Sequence, residues 1–169
     1  LIGGADNFEI TQVVISSGTV EGEIYAVGGI CGQADTESKF LSCENRAQIK
    51  SQTDDSNNIG GICGNVKSSH IEKCANYGNI NSQGVNVGGI CGSSFGSSSI
   101  TTSANYGDIV GNNSVGGIIG YASNASISNS LTTGDVKSIT VAPGFVIGGC
   151  YNAITLSNTV AYNSGATLT

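Results

Sequence analysis

The hexapeptide VGGICG at residues 87–92 decides the fold of this chain, because close copies of it recur along the 169 residues. Three of these copies are VGGICG (27–32), IGGICG (59–64) and VGGIIG (115–120). An aliphatic residue followed by two glycines also occurs near both ends, as Ile2-Gly3-Gly4 and Ile147-Gly148-Gly149. The first glycines of successive pairs are 25, 32, 28, 28 and 32 residues apart. A repeat of this period is typical of a solenoid.

A second sequence block lies between the glycine pairs. Its copies are FLSCENRAQI (40–49), IEKCANYGNI (71–80), ITTSANYGDI (100–109) and ISNSLTTGDV (127–136), with degenerate versions at 9–20 and 156–165. Insertions and deletions fall only between the blocks, as expected for loops that join strands of fixed register. The short segments rich in Val and Ile, bounded by Gly, Asn and Ser, indicate strands and turns.

The repeats predict an all-β protein, a parallel β-solenoid (β-helix) of about six coils of about 28 residues. A unit of this size buries its apolar side only by stacking on its neighbours, which places equivalent side chains in columns about 4.8 Å apart. We expect residues 1–169 to form a single repeat domain, which is either a segment of a longer secreted protein or a filament subunit.

Two columns are predicted from residues that recur at fixed positions. The paired glycines indicate a bulge or bend where a Cβ atom would clash or where φ is positive; they are Gly28, Gly29, Gly60, Gly61, Gly88, Gly89, Gly116 and Gly117. Asn45, Asn76 and Asn105 predict a column of amides that hydrogen-bond from coil to coil at a corner. The alternative function of these asparagines is contact with a ligand.

The cysteines also recur at repeat positions. Cys31, Cys63 and Cys91 share one position, where Ile119 follows in the next coil, so a small residue facing the core is expected. Cys43 and Cys74 share another position. We predict buried free thiols, because stacked residues have parallel Cβ vectors that suit a disulfide poorly. The alternatives are a disulfide across a coil, Cys31–Cys43 or Cys63–Cys74, and metal binding.

Charge and hydropathy limit the classes of partner. The net charge of −6 argues against nucleic acid, whose phosphates require Lys and Arg. No apolar run approaches the length of about 18 residues needed to cross a bilayer, so no membrane span is expected. Ser, Thr, Asn and Gly supply most of the polar surface of the C-terminal half, which is common on extracellular repeat proteins.

The sequence predicts no catalytic residue and no cofactor. His70 is the only histidine and falls in a variable loop, which favours a solvated side chain over a general base. Asp108 and Asp135 occupy equivalent positions in successive coils and are weak candidates for a metal site; the alternative is a polar turn position that takes Asn or Asp. Tyr77 and Tyr106 form either a packed turn column or a strip on which sugars stack.

Two N-glycosylation motifs occur, at Asn112-Asn113-Ser114 and Asn124-Ala125-Ser126. Both fall in predicted turns, so Asn112 and Asn124 are candidate glycosylation sites in a eukaryotic host.

The pattern VGGICG followed by IxxCxNxGxI resembles the GLUG-type repeat over residues 24–136, and more loosely at the ends. The resemblance implies a β-solenoid and the setting in which such repeats occur, namely secreted adhesins and surface proteins. It also implies a role as spacer, stalk or adhesive passenger, without catalytic residues shared across the family. The Cys at the fifth hexapeptide position departs from the usual aliphatic residue of this family.

We therefore expect a non-catalytic extracellular or cell-surface module that acts as a surface stalk, an adhesin passenger or a head-to-tail filament subunit. Expected partners are flanking repeats of a longer chain or other copies of this chain that stack end to end, with host or environmental glycans and proteins as further candidates. One alternative is a β-helix that binds or cleaves polysaccharide. A second alternative, ice binding, requires a continuous row of Thr residues that the sequence does not form.

Overall fold

The computed structural model describes residues 2–23, 25–52 and 57–162 of the chain. Every regular element in these ranges is a short β-strand, and none is a helix that could cross a membrane. The degenerate repeat predicted at 156–165 is described up to residue 162, and its last three residues lie outside the described part.

The strands follow one another coil by coil. The first coil contains β1 (Ile2–Asp6), β2 (Glu9–Thr11), β3 (Val14–Ile15) and β4 (Thr19–Glu21). The second contains β5 (Val27–Gly28), β6 (Cys31–Asp35), β7 (Lys39–Leu41), β8 (Glu44–Asn45) and β9 (Gln48–Ser51). The third contains β10 (Asn57–Gly60), β11 (Cys63–Lys67), β12 (His70–Glu72), β13 (Ala75–Asn76) and β14 (Ile80–Ser82).

The fourth coil repeats this order, and the fifth and sixth coils contain fewer strands because one strand in each is long. The fourth contains β15 (Val85–Gly88), β16 (Cys91–Phe95), β17 (Ser98–Thr101), β18 (Ala104–Asn105) and β19 (Ile109–Gly111). The fifth contains β20 (Asn113–Gly116), β21 (Ile119–Ser128), β22 (Leu131–Thr132) and β23 (Val136–Ser138). The sixth contains β24 (Ile147–Ser157) and β25 (Val160–Ala161).

Each inner strand pairs in parallel with its equivalents one coil earlier and one coil later, and a strand at the end of a sheet pairs on one side. Ile59 in β10, for example, lies opposite Val27 of β5 and Val87 of β15. The pairs assemble into four parallel sheets that run along the solenoid. The prediction of a parallel β-solenoid is therefore confirmed. The chain winds about five turns rather than six, since the end coils hold only part of the strand set in the described residues.

Non-glycine residues turn the chain at one recurrent corner, which directly follows β2, β7, β12, β17, β21 and β24. They share a left-handed φ between 46° and 58° and are Gln12, Ser42, Lys73, Thr102, Asn129 and Asn158. The N–H of Ser42, for example, donates to the Glu72 carbonyl of the next coil at 3.0 Å. This coil-to-coil hydrogen bond holds a conformation that side chains otherwise avoid.

The terminal glycine pairs do not belong to the column of the internal pairs, which corrects the predicted alignment. Ile2 lies opposite Cys31 and Ile147 lies opposite Ile119, so Gly3-Gly4 and Gly148-Gly149 align four residues later than expected. The physical reason is the core. Ile2 and Ile147 pack against the apolar cluster that contains Cys31, and the side chain in the core sets the register of a strand.

The interior contains two apolar clusters instead of one. The larger is built from the Cys31 column and the side chains that face it, including Ala34, Phe40 and Ile71. The smaller joins the Val27 column to the branched residues of the strands that follow the turn; it contains Val27, Ile49, Ile59, Ile80, Val87, Ile109, Val115 and Val136. The hexapeptide thus supplies side chains to both clusters.

Glycine backbones separate the two clusters. A Cβ atom on Gly60 would lie 2.7 Å from the Gly92 nitrogen and 2.8 Å from the Cys91 Cα of the next coil. A Cβ atom on Gly64 would lie 2.6 Å from the Val27 nitrogen. The sheet of β5, β10, β15 and β20 therefore packs backbone against backbone on the sheet of β6, β11 and β16. Close approach, and not a positive φ, explains the paired glycines.

Candidate functional site

The asparagines of the predicted amide column lie in one line inside a corner. Asn45 Nδ2 donates to Asn76 Oδ1 at 2.8 Å, and Asn76 Nδ2 donates to Asn105 Oδ1 at 2.8 Å. Each Nδ2 also donates to a backbone carbonyl two residues further on, at 2.8–3.0 Å. Because these side chains are fully buried and both amide hydrogens are used, none is available to a ligand.

Cys43 and Cys74 belong to a column that also contains Ser103 and Ser130. In this column each backbone N–H donates to the sulfur or oxygen of the next coil: Cys43 N to Cys74 Sγ at 3.4 Å, and Cys74 N to Ser103 Oγ at 3.2 Å. Each thiol or hydroxyl in turn donates to the carbonyl two residues earlier, as Cys74 does to Glu72 at 3.3 Å. The position therefore requires a small side chain that both accepts and donates.

Cys31, Cys63 and Cys91 lie in register on β6, β11 and β16 and are fully buried. Each Sγ donates to a carbonyl two residues further on, at 3.1, 3.2 and 2.9 Å. No backbone N–H of the next coil is found to donate to these sulfurs in the described residues. This column is therefore chiefly apolar, in keeping with Ile119 at the equivalent position.

The pKa values of the buried thiols are shifted in opposite directions. A hydrogen bond with the Cys74 thiol lowers the pKa of Cys43 to about 6, because the shared proton stabilises the thiolate. The same contact and burial raise the pKa of Cys74. Burial raises the pKa of Cys63 and of Cys91. All six cysteines are free, so the alternative disulfides Cys31–Cys43 and Cys63–Cys74 are not formed, and only Cys150 is exposed.

The metal candidates Asp108 and Asp135 lie on an exposed turn with Asn79. The backbone N–H of Asp108 donates to Asn79 Oδ1 at 3.0 Å, and the N–H of Asp135 donates to Asp108 Oδ1 at 3.0 Å. Lys137 Nζ lies 3.9 Å from Asp135 Oδ2. The Asn79 amide and the Asp108 carboxylate thus each link adjacent coils, as expected for a polar turn position that takes Asn or Asp. No group of three or more His, Cys, Asp or Glu that could hold a metal occurs in the described residues.

Tyr77 and Tyr106 stack at the same turn. Their ring centroids are 4.8 Å apart with an interplanar angle of 12°, and the Arg46 guanidinium lies 4.4 Å above the Tyr77 ring. One face of Tyr77 is therefore covered by Tyr106 and the other by Arg46. The rings present mainly their edges to solvent, which suits a packed column better than a strip on which sugars stack face to face.

The remaining predicted residues are scattered. His70 Nδ1 lies 2.7 Å from Ser99 Oγ of the next coil, with no acid recorded beside it among the described contacts. Asn112 has a buried side-chain Oδ1, whereas Asn124 is exposed at a left-handed corner with φ of 55°. Of the two glycosylation motifs, only the second therefore presents its asparagine fully to solvent.

The sequence analysis missed a groove that lies over the outer side of β1, β6 and β11. Its volume is about 570 Å³. The residues that line it are Asp6, Tyr25, Gln33, Asp35, Thr36, Asn65, Lys67 and Phe95. These residues differ from coil to coil, so they form no recurrent position in the sequence. One sequence signal could have located the groove. Gln33, Asn65 and Ser93 occupy the same register position, and this position varies while its neighbours recur.

A family model described as the GLUG motif matches residues 111–137. This stretch begins at the end of β19 and runs through VGGIIG into β23, so it covers most of the fifth coil. No curated protein and no solved structure gives a significant match to the chain. The match confirms the GLUG-type repeat for residues 111–137, which fold here as a coil of a parallel β-solenoid.

Proposed function

We propose that this chain is a non-catalytic structural module of an extracellular or cell-surface protein, with an adhesive role. The observation that carries the proposal is the use of the recurrent polar residues. Asn45, Asn76 and Asn105 satisfy one another, and the Cys74 and Ser103 side chains satisfy backbone groups of adjacent coils. The repeat is thus built to stack, which suits a rod that spaces or displays. The GLUG motif supports the same setting through its resemblance to surface repeats.

The absence of catalysis is tested by incubating the purified chain with neutral and acidic polysaccharides, with and without Ca²⁺, and measuring new reducing ends. We expect no turnover. The Asp108→Ala variant serves as the comparison, because Asp108 and Asp135 together line a surface groove. Turnover by the parent chain that this variant loses would contradict the proposal and favour a polysaccharide-cleaving enzyme.

Stacking through the end coils is the second part of the proposal, with flanking repeats or another copy of the chain as partner. Leu156 of β24 lies opposite the buried Ile127, yet 52% of its surface is exposed. An apolar column that is buried in the inner coils is thus open at this edge, and unpaired strand edges are templates for further pairing. Sedimentation velocity over a concentration series tests whether copies of the chain stack on one another. Association that the Leu156→Lys substitution weakens would support this proposal. A chain that stays monomeric at all concentrations would contradict it.

A further inference from the structure

We infer that the groove over β1, β6 and β11 binds a neutral oligosaccharide. This inference deepens the adhesive role proposed above and rests on it, because it names the class of partner. The groove volume of about 570 Å³ lies within the range of small-molecule sites.

A buried polar atom without a partner marks the floor of the groove. Asn65 is only 6% exposed, and its Oδ1 accepts no hydrogen bond in the described residues. Buried acceptors in native proteins are paired with few exceptions, so an unpaired one requires an explanation. Because the χ2 angle of Asn is soft, the amide can adjust, and we infer that Oδ1 then accepts from a hydroxyl of a ligand in the groove.

The walls of the groove hold polar groups in fixed positions. Asp6 and Asp35 lie directly opposite each other on β1 and β6. Gln33 Nε2 donates to Asp35 Oδ2 at 2.5 Å, which orients this carboxylate and leaves its other oxygen free to accept. Lys67 adds a donor on the next strand. The set offers several acceptors and a few donors, and hydroxyl groups can satisfy both.

Two aromatic rings, those of Phe95 and Tyr25, also line the groove. Phe95 follows Lys67 in register, and its ring centroid lies 6.2 Å from that of Tyr121. Tyr25 lines the groove from the connection before β5 and is more than half exposed. Unlike Tyr77, whose two faces are covered, neither the Phe95 ring nor the Tyr25 ring forms a parallel stack with another ring in the described part of the chain. Such rings suit the C–H face of a sugar, as polar hydroxyls turn towards Asp35 and Asn65.

Charge selects among possible ligands. Two carboxylates and one ammonium line the groove, so its formal charge is negative and it repels phosphate and acidic sugars. The combination of carboxylate, amide, hydroxyl and aromatic groups points to a neutral sugar chain.

The test is a titration of the whole chain with cellotetraose, maltotetraose and mannotetraose, followed by calorimetry or ligand-observed NMR. We expect at least one of them to bind and Asp35→Asn to weaken that binding about tenfold, which corresponds to about 1.4 kcal/mol. Asn65→Ser is expected to weaken it similarly, and this change is mild because Ser93 occupies the next position of the column. Asp108→Asn is the matched control, with the same chemical change on another face, and should bind like the parent.

Thermal unfolding of Asp35→Asn shows whether the fold is intact, and this variant alone decides the outcome if Asn65→Ser fails to fold. No binding by any of the three sugars at millimolar concentration would overturn the inference. Equal loss in Asp35→Asn and Asp108→Asn would also overturn it, as would Ca²⁺ binding without sugar binding. None of these results would contradict the proposed function as a stacking rod. Cleavage of a bound sugar would contradict the non-catalytic role but would still support the binding site.

Discussion

Asn76 and Asn105 are bonded side chain to side chain across two coils, with Asn76 Nδ2 2.8 Å from Asn105 Oδ1. The same Nδ2 donates to the Gly78 carbonyl at 2.9 Å, and Asn76 Oδ1 accepts from Asn45 at 2.8 Å. Asn76 is therefore the middle member of a column in which every polar atom has a buried partner. Such networks are strong when complete and weak when one member is removed.

Asn76→Ala should lower the free energy of unfolding by about 3 kcal/mol, because it leaves Asn45 Nδ2 and Asn105 Oδ1 buried without these partners. Chemical denaturation followed by circular dichroism measures the change. Asn81→Ala is the control, since Asn81 is exposed on β14, and it should alter stability by no more than about 0.5 kcal/mol. Equal losses in the two variants would contradict the amide column as a stabilising element.

Gly60→Ala should destabilise the chain by about 3 kcal/mol or more, because the added Cβ would meet the Cys63 carbonyl oxygen and the Gly92 nitrogen. Neither contact can relax without separating the two sheets. Gly3→Ala makes the same change where no atom lies within 4 Å of the added Cβ, so its unfolding midpoint should match that of the parent. Equal unfolding midpoints for the two variants would contradict the close packing of the two sheets at Gly60.

The two cysteine columns should respond differently to the same substitution. Cys74→Ser should change stability by less than about 1 kcal/mol, since a hydroxyl can accept from the Cys43 N–H and donate to Glu72 as Ser103 does in its own coil. Cys63→Ser should cost more, about 1–2 kcal/mol, because it places a hydroxyl in an apolar column that continues as Ile119. Urea unfolding of both variants provides the measurement. A larger loss of unfolding free energy for Cys74→Ser than for Cys63→Ser would contradict the assignment of Cys74 to the polar column and Cys63 to the apolar column.

The free energy of unfolding should fall as the pH rises above about 9. The folded-state pKa values of Cys63, Cys74 and Cys91 are raised above 9.0, so the folded chain keeps protons that the unfolded chain releases. Stability then decreases with pH, by up to about 1.4 kcal/mol per pH unit for each thiol. Below the unfolded pKa this contribution is fully present.

Cys91→Val provides the control for the alkaline effect, since the column accepts the aliphatic Ile119 at the next position. Its stability should fall less steeply between pH 9 and 11 than that of the parent, as seen in denaturation curves recorded across this range. Curves that run parallel would mean that the Cys91 thiol does not contribute to the loss.

Several features followed from the pattern of the sequence. Strand pairing of Ile59 with Val27 and Val87 follows from the spacing of the hexapeptides, because equivalent residues of a solenoid lie opposite each other. Cys74 and Ser103 likewise occupy the same repeat position in the sequence, and in the structure their side chains bond to equivalent backbone groups. The register of Ile2 could not be predicted in the same way, since Ile2-Gly3 can align with Val27-Gly28 or with Cys31-Gly32 and only packing in the core selects one.

The sequence by itself determined the coil, its period and the stacking of like residues, because these depend on local strand signals repeated at a constant interval. The tertiary structure alone decided that glycines such as Gly60 and Gly92 join two sheets between two apolar clusters, and that Asp35, Asn65 and Phe95 share one groove. The reason is physical. Residues that recur at the repeat interval stack along the solenoid axis and can be read from the sequence, whereas contacts across a coil depend on how the chain turns at its corners. Those turns rest on left-handed residues as varied as Ser42, Lys73 and Thr102, which share no common side chain.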